Sequence, residues 1–275
     1  MASLIISLCV LFYKLLIPAA TTAILAVLIL LAVLTYSQNA QIPRVRRRGT
    51  PVHILIVLGS GGHTTEMFYL LEKHESLDPS IYTYRTYVVT SGDQFSARKA
   101  EHFERQLADK QRKKAKGNTD TGSFDIVTIP RARRVHQSYW TTPFTTLQSI
   151  WACLLVLGGR YPNQKKLPWK YPSVYPDLIM TNGPAVSVCM VLAAKLLRSF
   201  IFMSRSVSVQ ARGQPEVSRL RTIFVESWAR ISRLSMSGTI LLPLADQFLV
   251  QWPDLAGRRA WWGMKKTVYA GWAVL

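Results

Sequence analysis

HILIVLGSGGHTTE, residues His53–Glu66, decides the fold. An unbroken apolar run, Ile54–Leu58, stops at Gly59-Ser60-Gly61-Gly62. His63, Thr64, Thr65 and Glu66 then lead into a periodic segment. This reads as a buried parallel strand, a tight glycine turn and a helix start, with His63 or Thr64 near the cap and Glu66 in the first turn. Such a turn lets backbone N–H groups approach an anion where the helix dipole favours negative charge. It also sets one imidazole at the mouth of that site.

Working outward, strand and helix signals alternate. Strands are expected at Val52–Leu58, Tyr84–Thr90, Phe124–Ile129, Asp177–Met180, Arg221–Val225 and Gln247–Val250. Helices are expected at Thr64–Lys73, Gln94–Gln111, Thr145–Leu157, Ala185–Leu197 and from Ser237 to Leu242, with Ser199–Ser208 ambiguous. This alternation predicts an α/β domain over residues 52–275, a doubly wound, Rossmann-like parallel sheet covered on both faces. Ligands of such sheets bind beyond the carboxyl ends of the strands. The glycine loop, Asn182-Gly183 and Glu226 all fall at such ends and can converge on one crevice.

Before the domain, residues 1–36 are almost entirely apolar. Ala19–Tyr36 carries no charge and nearly reaches the ~20 residues that cross a bilayer. With no basic n-region, it reads as a retained single-pass anchor rather than a cleaved signal. Leu4–Ile17, interrupted by Lys14 and closed by Pro18, is a second apolar segment, either interfacial or hairpinned onto the next. Residues 37–51 form a basic linker, and Arg44, Arg46, Arg47 and Arg48 place the body on the cytosolic side by the positive-inside rule. The whole chain has 275 residues and a formal charge of +19, which favours an acidic partner such as a membrane surface or a phosphate-bearing ligand. Nucleic acid is not expected, because the basic residues are dispersed and no aromatic-interleaved basic motif appears. Cys9, Cys153 and Cys189 lack metal-ligand spacing and read as buried thiols; neither a metal nor a cofactor is expected.

Gly59-x-Gly61 suggests a dinucleotide fingerprint, but Thr64 stands where the third glycine belongs, and Asp93 comes too late to hold a ribose. There is no GK[ST], hence no P-loop. What remains is an anion-binding turn with His63, whose ordinary pKa of ~6.5 suits a base near neutrality or, as imidazolium, a phosphate ligand. Glu226 ends the apolar run Ile223-Phe224-Val225, where a carboxylate is costly without a partner; a salt bridge to Arg230 or Arg219 is its alternative use. Arg133 and Arg134, with Gln137-Ser138, follow the third strand as a further basic loop.

Four motifs in order carry a resemblance: GSGGHTTEM at Gly59–Met67, TNGPAVSV at Thr181–Val188, FVESWARISRLSMSG at Phe224–Gly238 and ADQFLVQWP at Ala245–Pro253. They resemble the membrane-anchor subunits of the second N-acetylglucosaminyltransferase of dolichol-linked oligosaccharide synthesis. The resemblance implies the N-terminal, acceptor-binding half of a MurG-like, GT-B glycosyltransferase split between two polypeptides. It implies a soluble catalytic subunit bringing UDP-GlcNAc, and a GlcNAc-diphosphate-dolichol acceptor. The place would be the cytosolic face of the endoplasmic reticulum membrane, continuous with the nuclear envelope. Carried over by motif, His63 and Glu226 are the catalytic candidates. Gly59, Ser60, Gly61, Gly62, Thr64, Asn182 and Gly183 are the acceptor and diphosphate candidates. The apolar Thr267–Leu275, with Trp261-Trp262, would be a docking element or a last strand of the chain's own sheet. Two other readings stay open: a membrane-tethered NAD(P)-dependent oxidoreductase, and a basic non-enzymatic membrane scaffold.

Overall fold

The computed structural model describes residues 2–39, 50–73, 77–114, 121–133, 137–138, 140–171, 173–183, 185–207 and 219–271. Arg44–Arg48, Arg134 and the last four residues lie outside them. The chain falls into two compact units, Met1–Ala40 and Gln41–Leu275.

The first unit is one helix, α1 (Ala2–Asn39), with Pro18 inside it. This corrects the expected break at Pro18 and extends the helix three residues past Tyr36. Proline removes one N–H from the ladder, the donor to the carbonyl four residues back, a loss that apolar helices tolerate. In the turn that follows, Thr21 and Thr22 each donate a hydroxyl bond to the Pro18 carbonyl, at 2.9 and 2.8 Å. Ile17–Asn39 is long and apolar enough to cross a membrane. Its 23 residues rise ~35 Å at 1.5 Å each, against a hydrocarbon core of about 30 Å.

The second unit is a seven-stranded, wholly parallel sheet in the order β3-β2-β1-β4-β5-β6-β7. The strands are β1 (His53–Val57), β2 (Tyr84–Thr90), β3 (Ser123–Ile129), β4 (Leu178–Asn182), β5 (Arg221–Val225), β6 (Gln247–Val250) and β7 (Val268–Tyr269). The helices are α2 (Gly62–Lys73), α3 (Gln94–Lys114), α4 (Thr142–Leu157), α5 (Ala185–Val207) and α6 (Met236–Leu241). Alternation along β1 sends Leu55 and Val57 toward α4 and α5, and Ile54 and Ile56 toward α2 and α3. Both faces are thereby covered, which is why β1 is apolar throughout.

Helix α5 absorbs the ambiguous Ser199–Ser208 stretch as far as Val207. Helix α2 starts two residues earlier than expected, so Glu66 lies beyond its first turn. The short β7 puts Val268 and Tyr269 in the chain's own sheet. Cys153 and Cys189 are buried free thiols, and burial pushes both up.

The strand order reverses between β1 and β4, which are neighbours although three connections separate them in sequence. At such a switch point the loops leave in opposite directions and open a crevice at the carboxyl ends.

Candidate functional site

The glycine loop leaves β1 at this switch point. Gly61 has φ +61°, a left-handed conformation in which a side chain would be strained. Under the loop, the Thr64 hydroxyl donates to the Gly59 carbonyl and lies 2.6 Å from Ser96 Oγ. Ser96 in turn donates to Asp93 at 2.6 Å. Thr64 is fully buried, so its side chain supports the loop instead of facing a ligand, contrary to expectation. Asp93 accepts from the Ser96 backbone N–H in the first turn of α3, which leaves it no ribose to hold.

His63 projects from the first turn of α2 toward the end of β4. Its Nδ1 is 3.2 Å from Asn182 Oδ1; with the amide oxygen toward the ring, Nδ1 is the donor and the neutral imidazole carries its lone pair on Nε2. Among the described residues Nε2 has no hydrogen-bond partner, and the side chain is 34% exposed. Gly183, with φ +96°, lets the backbone pass against the ring: a Cβ there would stand 2.8 Å from His63 Cγ. The structure therefore brings His63, Asn182 and Gly183 together. Asn182 is wholly buried, so it holds the histidine and is itself out of a ligand's reach.

Glu226 is brought to the same edge of the sheet but turned away from the crevice. Its carboxylate accepts from the backbone N–H and hydroxyl of Ser235, at 3.0 and 3.1 Å, and from the Ser227 N–H at 3.1 Å. Ser235 is the N-cap of α6 and accepts from the Gly238 N–H. Glu226 thus braces a helix start, and its exposure of 1% agrees with that role. Arg219, one alternative partner, pairs instead with Asp177 at 2.9 Å.

The acid in reach of His63 is Glu66, one helical turn on, with Oε2 at 3.8 Å from Nδ1. Glu66 is buried and accepts from the Ser227 hydroxyl at 3.1 Å, from the Trp228 N–H, and from Gln251 Nε2. Burial alone would push its carboxyl up; hydrogen bonds with His63, Trp228, Asn182 and Gln251 outweigh it and hold the group below the usual carboxylate range. Glu66 itself borders a crevice of about 460 Å³, which is also lined by Gly62, His63, Tyr69, Ser227 and Trp228, among others. On the other side of the loop, Gly59, Ser60, Arg131, Arg133 and the first residues of α5 line a smaller pocket of about 210 Å³. Arg131 Nε is fixed there by the Ser91 carbonyl at 2.8 Å. One loop thus separates an imidazole-bearing crevice from a basic pocket.

Residues 54–272 match the family described as Oligosaccharide biosynthesis protein Alg14 like. The chain belongs to the Alg14 family. It is 52% identical over 225 residues to the UDP-N-acetylglucosamine transferase subunit alg14 of Aspergillus fumigatus, covering 74% of this chain and 98% of that one. The subunits of the same name in Schizosaccharomyces pombe and Homo sapiens are 36% and 35% identical, over 84% and 79% of this chain and 90% and 81% of theirs. A solved structure of LpCGTa in complex with UDP reaches a TM-score of 0.38 at 12% identity over 80% of this chain and 52% of its own, too distant to carry an argument.

For this Alg14-family chain, sequence reasoning missed three contributors: Glu66 as a bridging acid, Gln251 and Arg131. Gln251 follows β6 and Arg131 follows β3, so the carboxyl-end rule applied to every strand would have found both. Glu66 had a weaker signal, an acid three residues after the candidate histidine and so on the same helical face.

Proposed function

We propose that this chain is the membrane-anchored, acceptor-binding subunit of a UDP-N-acetylglucosamine transferase, and that it acts on a lipid-linked GlcNAc diphosphate of the dolichol type. The observation that carries the reading is His63. It is presented by an anion-binding turn, fixed through Nδ1 by Asn182, and left with a free Nε2 at the mouth of a crevice. The diphosphate fits the pocket of Arg131, Arg133 and the α5 N-terminus, where fixed positive charge and open N–H groups favour an anion. The acceptor sugar fits the neighbouring crevice, with Tyr69 and Trp228 as apolar walls. His63 Nε2 takes the proton of the attacking hydroxyl as its oxygen bonds the anomeric carbon of the donor. The bond between that carbon and UDP breaks, and UDP leaves with the electron pair.

The described body forms a single sheet. In this reading a separate soluble subunit closes the crevice and supplies the UDP-GlcNAc half, as in a GT-B enzyme divided in two. Helix α1 is the tether, in the endoplasmic reticulum membrane with the body in the cytosol. The basic segment 44–48 favours that orientation. An exposed apolar row on α4, Phe144, Leu147 and Trp151, suits contact with the bilayer near the basic pocket. Thr145 ties the two together by donating to the Ala132 carbonyl at 2.8 Å.

The test is transfer of GlcNAc from UDP-GlcNAc to a polyprenyl-diphosphate-GlcNAc by this chain, its partner and the pair. Only the pair should be active, and His63→Ala should lower the rate by about 10²–10⁴-fold at equal complex yield. Full activity of this chain alone would sink the divided-enzyme reading. An unchanged rate in His63→Ala would remove the base.

A further inference from the structure

We infer that Glu66 is a positioning residue for His63: it fixes the imidazole tautomer and locks the crevice wall to the helix that carries the base. The inference rests on the reading of His63 as the base.

Glu66 lies one turn after His63, so both side chains leave the same face of α2. A buried carboxylate needs its oxygens satisfied, and here neutral donors satisfy them. Ser227 and Trp228 come from the loop after β5, and Gln251 from the residue after β6. Gln251 also donates to the Glu226 carbonyl at 3.0 Å, and Trp252 Nε1 to the Trp228 carbonyl at 2.7 Å. One carboxylate thereby joins α2 to two further strand ends, and Trp228 cannot shift without breaking bonds to it.

A latch alone would need no charge beside the imidazole. Yet the only basic group within 4 Å of Glu66 among the described residues is His63 Nδ1. The carboxylate favours a donor at that nitrogen. It also favours the Asn182 orientation in which the amide oxygen, not the nitrogen, meets the ring. Without the charge the amide can turn over and donate to Nδ1, which moves the ring proton to Nε2 and removes the lone pair the reaction uses. When Nε2 takes a proton in the reaction, the same carboxylate stabilises the imidazolium. The Glu66 oxygens accept from Ser227, Trp228 and Gln251, so the acid, which also borders the crevice, acts in this proposal through His63.

The test uses the full chain in detergent, paired with the catalytic subunit. Glu66→Gln keeps the shape and removes the charge. It should lower kcat by about 10- to 100-fold, the range known for metal-bound histidines that lose their orienting partner, with the acceptor KM within about threefold. Long-range ¹H–¹⁵N spectra of ¹⁵N-histidine protein, with His63 assigned from His63→Ala, should give the Nδ1–H pattern in the wild type. In Glu66→Gln the pattern should move toward Nε2–H. A wild-type His63 in the Nε2–H form would overturn the inference even if the variant failed to fold. So would Glu66→Gln with the spectrum and kcat unchanged, while a large loss in His63→Ala would leave the base reading standing. If His63→Ala retained activity, the base reading would fail first.

Discussion

Two buried carboxylates, at opposite edges of one sheet, are held down by different means. Asp246 sits at the amino ends of β5 and β6. It accepts from Lys195 Nζ at 2.8 Å, from both Arg198 amino groups at 2.8 Å and from the Thr222 N–H at 3.0 Å. Glu66 sits at the carboxyl ends, on neutral donors and one imidazole. Burial raises the proton affinity of each, and partners more than reverse it, so both carboxyls lie below their ordinary range. The Asp246 site is closed, with formal cations packed around one acid. Burial brings Lys195 itself down to about 8, although the Asp246 charge pulls it back up. The Glu66 site is half open, and the basic group within 4 Å of it among the described residues is the one proposed to react. The same electrostatic balance therefore serves stability at one edge and proton placement at the other.

The largest expected effect breaks the closed site. Asp246→Asn leaves Lys195 and Arg198 packed without their counter-charge and should cost about 3–5 kcal/mol, read from chemical denaturation of the full chain in detergent. The pH dependence has a definite sign. A depressed carboxyl contributes stability that is present above its unfolded pKa of about 3.9 and is lost as pH falls through the folded value. The wild-type Tm should therefore fall on acidification below about pH 4, and the fall should be shallower in Asp246→Asn. Transfer per folded complex should stay within about threefold of wild type, because additivity holds for well-separated sites. A large loss there would dissolve the distinction between the two edges.

Gly183→Ala comes next and tests the open site from the other side of the ring. The new Cβ meets His63 Cγ at 2.8 Å, and φ +96° strains any side chain. The imidazole must shift, and a displacement of about 1 Å can cost about 10²-fold in rate. The assay is kcat of the reconstituted pair, with the His63 ring spectrum as witness. A rate within threefold of wild type would mean that the ring position does not matter.

Much of this was legible before any coordinates. The alternation of apolar runs and amphipathic segments gives the parallel sheet. Tyr84–Thr90, Arg221–Val225 and Gln247–Val250 are strands at the expected residues. The meeting of His63 with Asn182 and Gly183 follows from chain order and the switch-point rule. What a sequence does not reveal is the direction in which a buried acid turns. Glu226 ends an apolar strand and invites a chemical role, but its partner Ser235 lies nine residues on, across a turn whose path only tertiary packing sets. Glu66 reads as a first-turn acid when the helix is started at Thr64, and the donors that bury it come from more than 160 positions away. The continuity of α1 through Pro18 is hidden in the sequence because proline ends most helices in water, whereas long apolar helices tolerate it.

The smallest predicted effect concerns the third acid and sharpens the contrast most. Glu226 lies within one residue of the crevice wall, yet its oxygens face the Ser235 and Ser227 donors. Glu226→Gln turns one of those acceptors into an NH₂ that confronts a backbone N–H. That should cost about 1–3 kcal/mol, the penalty of a buried unsatisfied donor. Helix α6 should loosen at its start, seen as faster amide exchange at Gly238, whose N–H is capped by Ser235 Oγ at 2.9 Å. Transfer by the folded pair should remain within about threefold, since no proton in the proposed reaction passes through this carboxylate. The opposite pattern, intact stability with a rate loss beyond about 10²-fold, is the signature of a group used only in the transition state. It would move Glu226 into the reacting site and leave Glu66 as the mere brace.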